Sequence, residues 1–255
     1  MTDDRKDDGG AADSAAPARR RRVLYGRRLG RPLRVDRRRL MAELLPRITL
    51  DLAGIAPGTL DPRKVFAAPA FADQAPPSPR EVWLEVGFGG GEHLAAQAAR
   101  HRDIGLIGCE PFINGVASAL QHIESERLDN VRLHPDDARA VIDALAPASL
   151  ARVYVLFPDP WPKARHAKRR FISDANLDAL ARVMAPGARL TVASDDDGYI
   201  RWALGRLLAH PAFVWMAERA ADWRERPADQ PPTRYEEKAR AKGIRPVFVL
   251  FRRTG

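Results

Sequence analysis

From Glu81 to Arg253 the chain switches repeatedly between two hydrophobic periods, and this restricts it to few architectures. EVWLEV (81–86), IGLIGCE (104–110), VRLH (131–134), ARVYVLF (151–157) and ARLTVAS (188–194) are short apolar runs of strand length. Between them EHLAAQAARH (92–101), PFINGVASALQHIESE (111–126), ARAVIDAL (138–145) and ISDANLDALARVM (172–184) carry apolar residues at helical spacing, and GYIRWALGRLLA (198–209) follows the last strand. Strand and helix alternating in this way predict a mostly parallel sheet with helices on both faces. Two further runs, AFVWM (212–216) and PVFVLFRR (246–253), are joined by a polar, proline-bearing stretch without a crossover helix of ordinary length. Such strands should pair antiparallel at one sheet edge. There is no internal repeat and no second alternating block, so we expect one α/β domain over 80–255.

The preceding sequence is of another kind. Residues 1–22 hold almost no large apolar side chain and read as a disordered tail. Residues 23–79 read as a basic N-terminal extension and connector. Seven prolines between Pro46 and Pro79 predict extended chain, with regular structure starting near Arg80. Charge is concentrated here: the chain is +9 overall, yet residues 17–40 hold eleven arginines against the single acid Asp36. The rest of the chain therefore sums to −1. A basic arm on a near-neutral domain meets polyanions, either nucleic acid or an anionic membrane face.

Several classes are disfavoured. No run approaches the roughly 18–20 apolar residues of a bilayer span, and MTDDRKDDGG lacks the apolar stretch of a secretory signal. Asp3, Asp4, Asp7 and Asp8 argue against a mitochondrial-type targeting peptide. The lone Cys109, within an apolar run, reads as a core residue. The six histidines are scattered, without zinc-like spacing, so no metal is expected. A cytoplasmic location fits these features.

Chemistry is signalled at the strand ends. Glu85-Val-Gly-Phe-Gly-Gly-Gly-Glu92 joins the first strand to the first helix, where open parallel sheets bind nucleotides. Gly87, Gly89 and Gly91 let backbone pass close to a ligand, although a tight turn with no ligand has the same composition. A dinucleotide fingerprint wants glycine where Glu92 stands, and Glu85 and Glu92 would repel a pyrophosphate. They suit a phosphate-free cofactor with cationic groups, and S-adenosylmethionine carries a sulfonium and an ammonium. Glu110, nineteen residues past Gly91, ends the second strand where a carboxylate accepts a ribose diol. Asp137, in the pair Asp136-Asp137, either accepts an adenine amino group or simply caps the helix after it.

The fourth strand runs into Pro158-Asp159-Pro160-Trp161-Pro162, a stiff loop that presents Asp159 and Trp161 at the carboxyl edge of the sheet. Residues 163–170, KARHAKRR, follow with five positive side chains and no acid. Placed there, the run favours phosphate contact over a merely solvated surface.

Taken together, Glu-x-Gly-x-Gly-x-Gly from Glu85, the Glu110 strand end, PDPWPKARHAKRR, Ser194-Asp195 and Thr233-Arg234-Tyr235-Glu236 resemble the bacterial tRNA (guanine-N7) methyltransferases. The resemblance runs from about Tyr25 to Phe251, and YGRRLGR (25–31) is similar to that family's basic N-terminal segment. It implies a Rossmann-like class I methyltransferase fold, a seven-stranded mostly parallel sheet with one antiparallel strand. It also implies methylation of guanine N7 at position 46, in the variable loop of tRNA, with S-adenosylmethionine as cofactor and tRNA as partner. By the same resemblance Glu85, Gly87, Gly89, Glu110, Asp137 and Asp159 would contact the cofactor, with Asp159 the catalytic residue. Lys163, Asp195, Thr233, Arg234, Tyr235 and Glu236 would contact the guanosine. Arg165, His166, Ala167, Lys168, Arg169 and Arg170 would contact RNA. Trp161 and Tyr235 are candidates for stacking on an exposed base.

The residues alone leave rivals: a nicotinamide-dependent oxidoreductase, another RNA or small-molecule methyltransferase, or a non-catalytic RNA-binding protein on the same fold. Glu92 weighs against the first, the basic loop and arm against a small-molecule substrate, and the successive strand-end acids against lost catalysis. Oligomeric state, tRNA preference, the role of the N-terminal arginine-rich tail and whether Asp136 or Asp137 contacts the adenine stay open.

Overall fold

A computed structural model describes residues 24–74 and 76–255; the expected disordered tail, 1–22, lies outside the described residues. The elements run α1 (Val35–Glu43), α2 (Leu45–Ile48), β1 (Glu81–Val86), α3 (Glu92–Arg100), β2 (Ile104–Cys109), α4 (Ile113–Ser125), β3 (Val131–His134) and α5 (Ala138–Ala144), then β4 (Leu150–Leu156), α6 (Asp174–Val183), β5 (Met184–Ser194), α7 (Asp197–Ala209), β6 (Phe213–Trp215), α8 (Ala221–Arg224), α9 (Arg234–Ala241) and β7 (Val247–Arg253).

The seven strands form one sheet in the order β3-β2-β1-β4-β5-β7-β6. β1 to β5 are mutually parallel, and β7 is antiparallel to both β5 and β6. This is the seven-stranded α/β sheet with one antiparallel strand that the sequence predicts. β7 lies between β5 and β6, which explains its apolar composition: Phe248, Val249 and Phe251 are buried. Successive strand residues serve opposite faces, as the two-residue period requires. Leu84, Val153, Val155 and Val192 pack in one cluster with Val141, Leu177, Leu180 and Leu207 of α5, α6 and α7. Trp83, Leu106 and Tyr154 pack in the other with Leu94, Val116 and Leu120 of α3 and α4. The strand order reverses between β1 and β4, leaving a crevice beyond their carboxyl ends, where ligands bind in open sheets.

Regular structure begins at Val35, well ahead of the expected Arg80. Leu40, Leu44 and Ile48 are buried against the second cluster, and Leu50 and Phe66 against the first. Polar groups order the chain around and after Phe66. Asp129 accepts the backbone N–H groups of Ala70, Phe71 and Ala72 at 2.6, 2.7 and 3.1 Å. Arg132, 3% exposed, donates to the carbonyls of Val65 (2.8 Å), Asp129 (3.0 Å) and Val131 (2.7 Å), and also to Ala68. Prolines interrupt regular structure, but they do not prevent an extended chain from finding donors and acceptors on a folded neighbour. Asp129→Ala strands three amides and should destabilise the protein by about 2 kcal/mol, seen as a melting temperature lowered by roughly 4–8 °C. An unchanged melting curve would mean the connector adds nothing to stability.

Two further elements depart from expectation. The polar stretch before the last strand contains α8 and α9, and the α9 N-cap Thr233 accepts the Glu236 N–H at 3.1 Å. Thr-x-x-Glu is capping-box spacing, so the helix start was present in the sequence as a local signal.

Candidate active site at the carboxyl edge of the sheet

The turn after β1 is built by tight packing and one carboxylate. Gly91, left-handed at φ 83°, caps α3, and a Cβ there would lie 2.4 Å from the Ala119 Cβ of α4. It therefore serves helix packing. Gly89 donates its N–H to Glu110 Oε2 at 2.8 Å, while Glu110 Oε1 accepts the Phe112 N–H at 2.9 Å. Glu110, 8% exposed, thus joins the turn after β1 to the turn after β2. Burial pushes its pKa above the ordinary carboxylate range; its two N–H donors oppose this, and the charges of Asp159 and Glu85 reinforce it.

Above this turn lies a cavity of about 340 Å³, lined among others by Gly87, Gly89, Glu110, Asp159, Tyr235 and Tyr25. Among the described residues its charged lining is Glu110, Asp159 and Arg27. The Gly89 amide, the kind of donor a dinucleotide site offers to pyrophosphate, is taken by Glu110. The donor set fits a ribose and a cationic sulfonium, and it does not fit a diphosphate.

Other predicted residues surround this cavity at different depths. Glu85, 3% exposed, borders an adjoining recess with Glu92, His93 and Thr233, and its Oε2 meets His93 Nδ1 at 2.8 Å. Asp137 caps α5 and is bonded to Arg139 at 2.8 Å through Oδ2. Asp136 accepts from Arg28 at 3.1 Å. Asp137 lines a second cavity, of about 300 Å³, with Lys168, Arg169 and Arg170, and Tyr25 borders both. Asp195 is exposed at the end of β5, while its neighbour Asp196 caps α7. Tyr235 stacks on Phe157 with centroids 6.2 Å apart, and a Cβ on Gly89 would lie 3.0 Å from its ring. Glu236 is buried between Arg226 (3.1 Å) and Arg240 (3.0 Å), which anchors α9. Arg234 is exposed, 4.0 Å from Glu92.

The loop after β4 is held by its own arginines. Phe157 and Trp161 adopt φ of 50° and 43°, a strained choice for aromatic residues that turns the chain sharply at the crevice. Arg170 donates to the carbonyls of Pro160 (2.9 Å) and Trp161 (3.1 Å) and lies over the Trp202 ring. Arg169 sits between the rings of Tyr25 (4.4 Å) and Trp161 (4.8 Å). These two arginines build the loop, and Lys163, Arg165 and Lys168 remain exposed. Ala167 is half-buried and its carbonyl receives the Arg170 N–H. His166 packs edge-on against Trp161, and desolvation, then the cations Arg169, Arg165 and Lys163, hold its pKa below the usual histidine range.

Sequence reasoning missed three contributions. Tyr25, Gly26 and Arg27 line the main cavity, on a strap held where Ile113 N–H donates to Arg28 O (3.0 Å) and Gly30 N–H to Asn114 Oδ1 (2.8 Å). A Cβ on Gly26 would lie 3.6 Å from Asp159 Oδ2. Phe157 read only as the end of a strand. His93 and Gln97, on the inner face of α3, left a visible signal: two polar residues at i and i+4 among alanines and leucine.

Comparison with known proteins agrees with this geometry. The family described as "Putative methyltransferase" matches residues 79–249. A Rhodospirillum rubrum protein is 54% identical over 231 residues, covering 90% of this chain and 87% of its own. A Paramagnetospirillum magneticum protein is 49% identical over 246 residues, covering 96% and 98%. One from Brucella melitensis is 46% identical over 239 residues, covering 94% and 98%. All three relatives are named tRNA (guanine-N(7)-)-methyltransferase.

Proposed function

The chain belongs to the tRNA (guanine-N(7)-)-methyltransferase family, and from that membership we propose that it methylates N7 of the guanine at position 46, in the variable loop of tRNA, using S-adenosylmethionine. The observation that carries the reading is the Glu110 carboxylate holding the Gly89 amide in a cavity it shares with Asp159, one loop away from exposed cations. Transfer of a labelled methyl group to tRNA, with the product nucleoside identified, tests it. Absence of 7-methylguanosine would overturn it. An enzyme of this kind acts in the cytoplasm, where tRNA is.

S-adenosylmethionine, when bound, supplies a methyl group already activated on a sulfonium. Guanine N7 presents an in-plane lone pair, so the protein removes no proton and needs positioning more than a strong base. Asp159, exposed in the cavity between two prolines, is suited to hold the N–H edge of guanine and to stabilise the positive charge the ring acquires. It acts as an orienting and electrostatic group. Glu110 would accept from the ribose with its remaining lone pairs, and Glu85 would offer its charge to the methionine end. Asp137 or its neighbour Asp136 would take the adenine amino group. Tyr235, with Thr233 and Arg234 at the start of α9, forms the guanosine side together with Lys163 and Asp195.

Phosphate contact falls to the exposed cations of the 163–170 loop. Replacing Arg165 and Lys168 with Ala should lower the slope of log affinity against log salt by roughly 1.5–2, the share of two phosphate contacts. Binding measured across salt concentrations decides this, and an unchanged slope would return the loop to solvent.

A further inference from the structure

A buried polar chain leads away from the donor recess. Glu85 Oε2 meets His93 Nδ1 at 2.8 Å, His93 Nε2 lies 3.4 Å from Gln97 Nε2, and Gln97 Nε2 donates to the Asp229 carbonyl at 3.1 Å. Exposure is 3% for Glu85 and His93 and zero for Gln97, and the Tyr154 ring stands edge-on to the imidazole at 4.8 Å. The Asp229 carbonyl can only accept, so the Gln97 amide must face it with nitrogen; the reverse orientation sets two oxygens together. The same nitrogen faces His93 Nε2, which must therefore accept. The ring proton then resides on Nδ1 and is donated to Glu85. Among the described residues Gln97 Oε1 has no partner, so this orientation is held although it leaves a buried oxygen unsatisfied.

We propose that His93 is a positioning residue for donor binding. Held as the neutral Nδ1–H tautomer by Gln97 and the Asp229 carbonyl, it fixes Glu85 through Oε2. Oε1 and the undiminished negative charge are left for the α-ammonium of the donor. An imidazolium in its place would orient the carboxylate equally well but cancel its charge. Support of this kind, from a neighbour that fixes tautomer and direction, is how ligand-contacting groups acquire their geometry. The chain ends on the loop that leads to Thr233, and Arg152 holds Asp229 there through its carboxylate at 2.7 Å. The inference rests on the reading that Glu85 faces the methionine end.

The test compares two ligands by titration calorimetry on the full chain without tRNA: S-adenosylmethionine, and 5′-deoxy-5′-methylthioadenosine, which lacks the amino-acid end. His93→Ala should weaken S-adenosylmethionine roughly ten- to hundredfold, the worth of one hydrogen bond to a charged group, and leave the thioether nucleoside within about twofold. His93→Asn, whose side-chain amide can still donate to Glu85, should recover most of the loss. Gln97→Glu presents an acceptor to Nε2, favours the imidazolium, and should weaken S-adenosylmethionine selectively although residue 97 does not line the cavity or the recess. If His93→Ala does not fold, His93→Asn and Gln97→Glu carry the same comparison. Equal losses for both ligands, or full S-adenosylmethionine affinity in His93→Ala and Gln97→Glu, would overturn the proposal. Where Glu85→Gln alone weakens S-adenosylmethionine, the relay falls and the donor reading stands. A wild-type protein that binds neither ligand overturns both.

Discussion

Asp159→Ala should lower turnover on tRNA by about 10² or more, the scale seen when one preorganised electrostatic group is removed from a reacting centre. The side chain lies in the main cavity with Glu110, on a loop whose backbone is fixed by Pro158, Pro160 and the two carbonyl contacts of Arg170. Its carboxylate is therefore carried by a backbone fixed at the cavity. Because it stabilises charge that develops as the methyl group transfers, the loss should appear mainly in kcat. Asp159→Asn separates the two roles: an amide oxygen still accepts one guanine N–H but carries no charge, so partial recovery measures orientation and the remainder electrostatics. Single-turnover rates with saturating tRNA and donor give the result. Near-wild-type turnover of the alanine variant would remove Asp159 from the mechanism.

Glu110→Ala should weaken donor binding by roughly 10² or more, since it removes the ribose acceptor and releases the Gly89 and Phe112 amides together. The raised pKa of Glu110 adds a pH signature. Burial favours the neutral form in the free protein, whereas a ribose diol needs the ionised acceptor. Donor affinity is then full at higher pH and lost as pH falls through a pKa above the ordinary glutamate value of about 4.3. Folding carries the opposite sign: ionised Glu110 disfavours the folded state above that pKa, and the penalty disappears as pH falls below the unfolded value. Glu110→Gln should bind weakly with a flatter pH profile than the wild type. A wild-type affinity that does not fall as the pH is lowered from neutral through the carboxylate range would deny Glu110 the ribose contact.

Both expectations depend on residues already conspicuous in the sequence, yet their partners were not. The three strand-end acids are all where the βα pattern put them, but they differ in the structure: Glu110 in the main cavity, Glu85 against a buried histidine, Asp137 spanning a helix cap and Arg139. The run 163–170 reads as uniform charge, whereas Arg169 and Arg170 are taken up by rings and carbonyls of the fold. Proline density between 46 and 79 disguised a segment that buries Leu50 and Phe66. The Thr233 N-cap, with a glutamate at capping-box spacing, is legible in the sequence even though the stretch around it is polar and proline-bearing.

By itself the sequence determined the alternation of strands and helices, the glycine turn, the acids at consecutive strand ends and the basic loop. Each is local: solvent segregates side chains along a short segment with a period set by its backbone, so periodicity and turn chemistry suffice to read it. Only the tertiary structure decided that Glu110 takes the Gly89 amide, that Tyr25 and Gly26 close over Asp159, and that His93 is held between Glu85 and Gln97. The Gly89–Glu110 contact spans 21 residues of chain and Gly26 lies 133 residues from Asp159, and one oxygen or nitrogen is chosen over another by close packing of whole elements. A segment's own composition carries no trace of that choice.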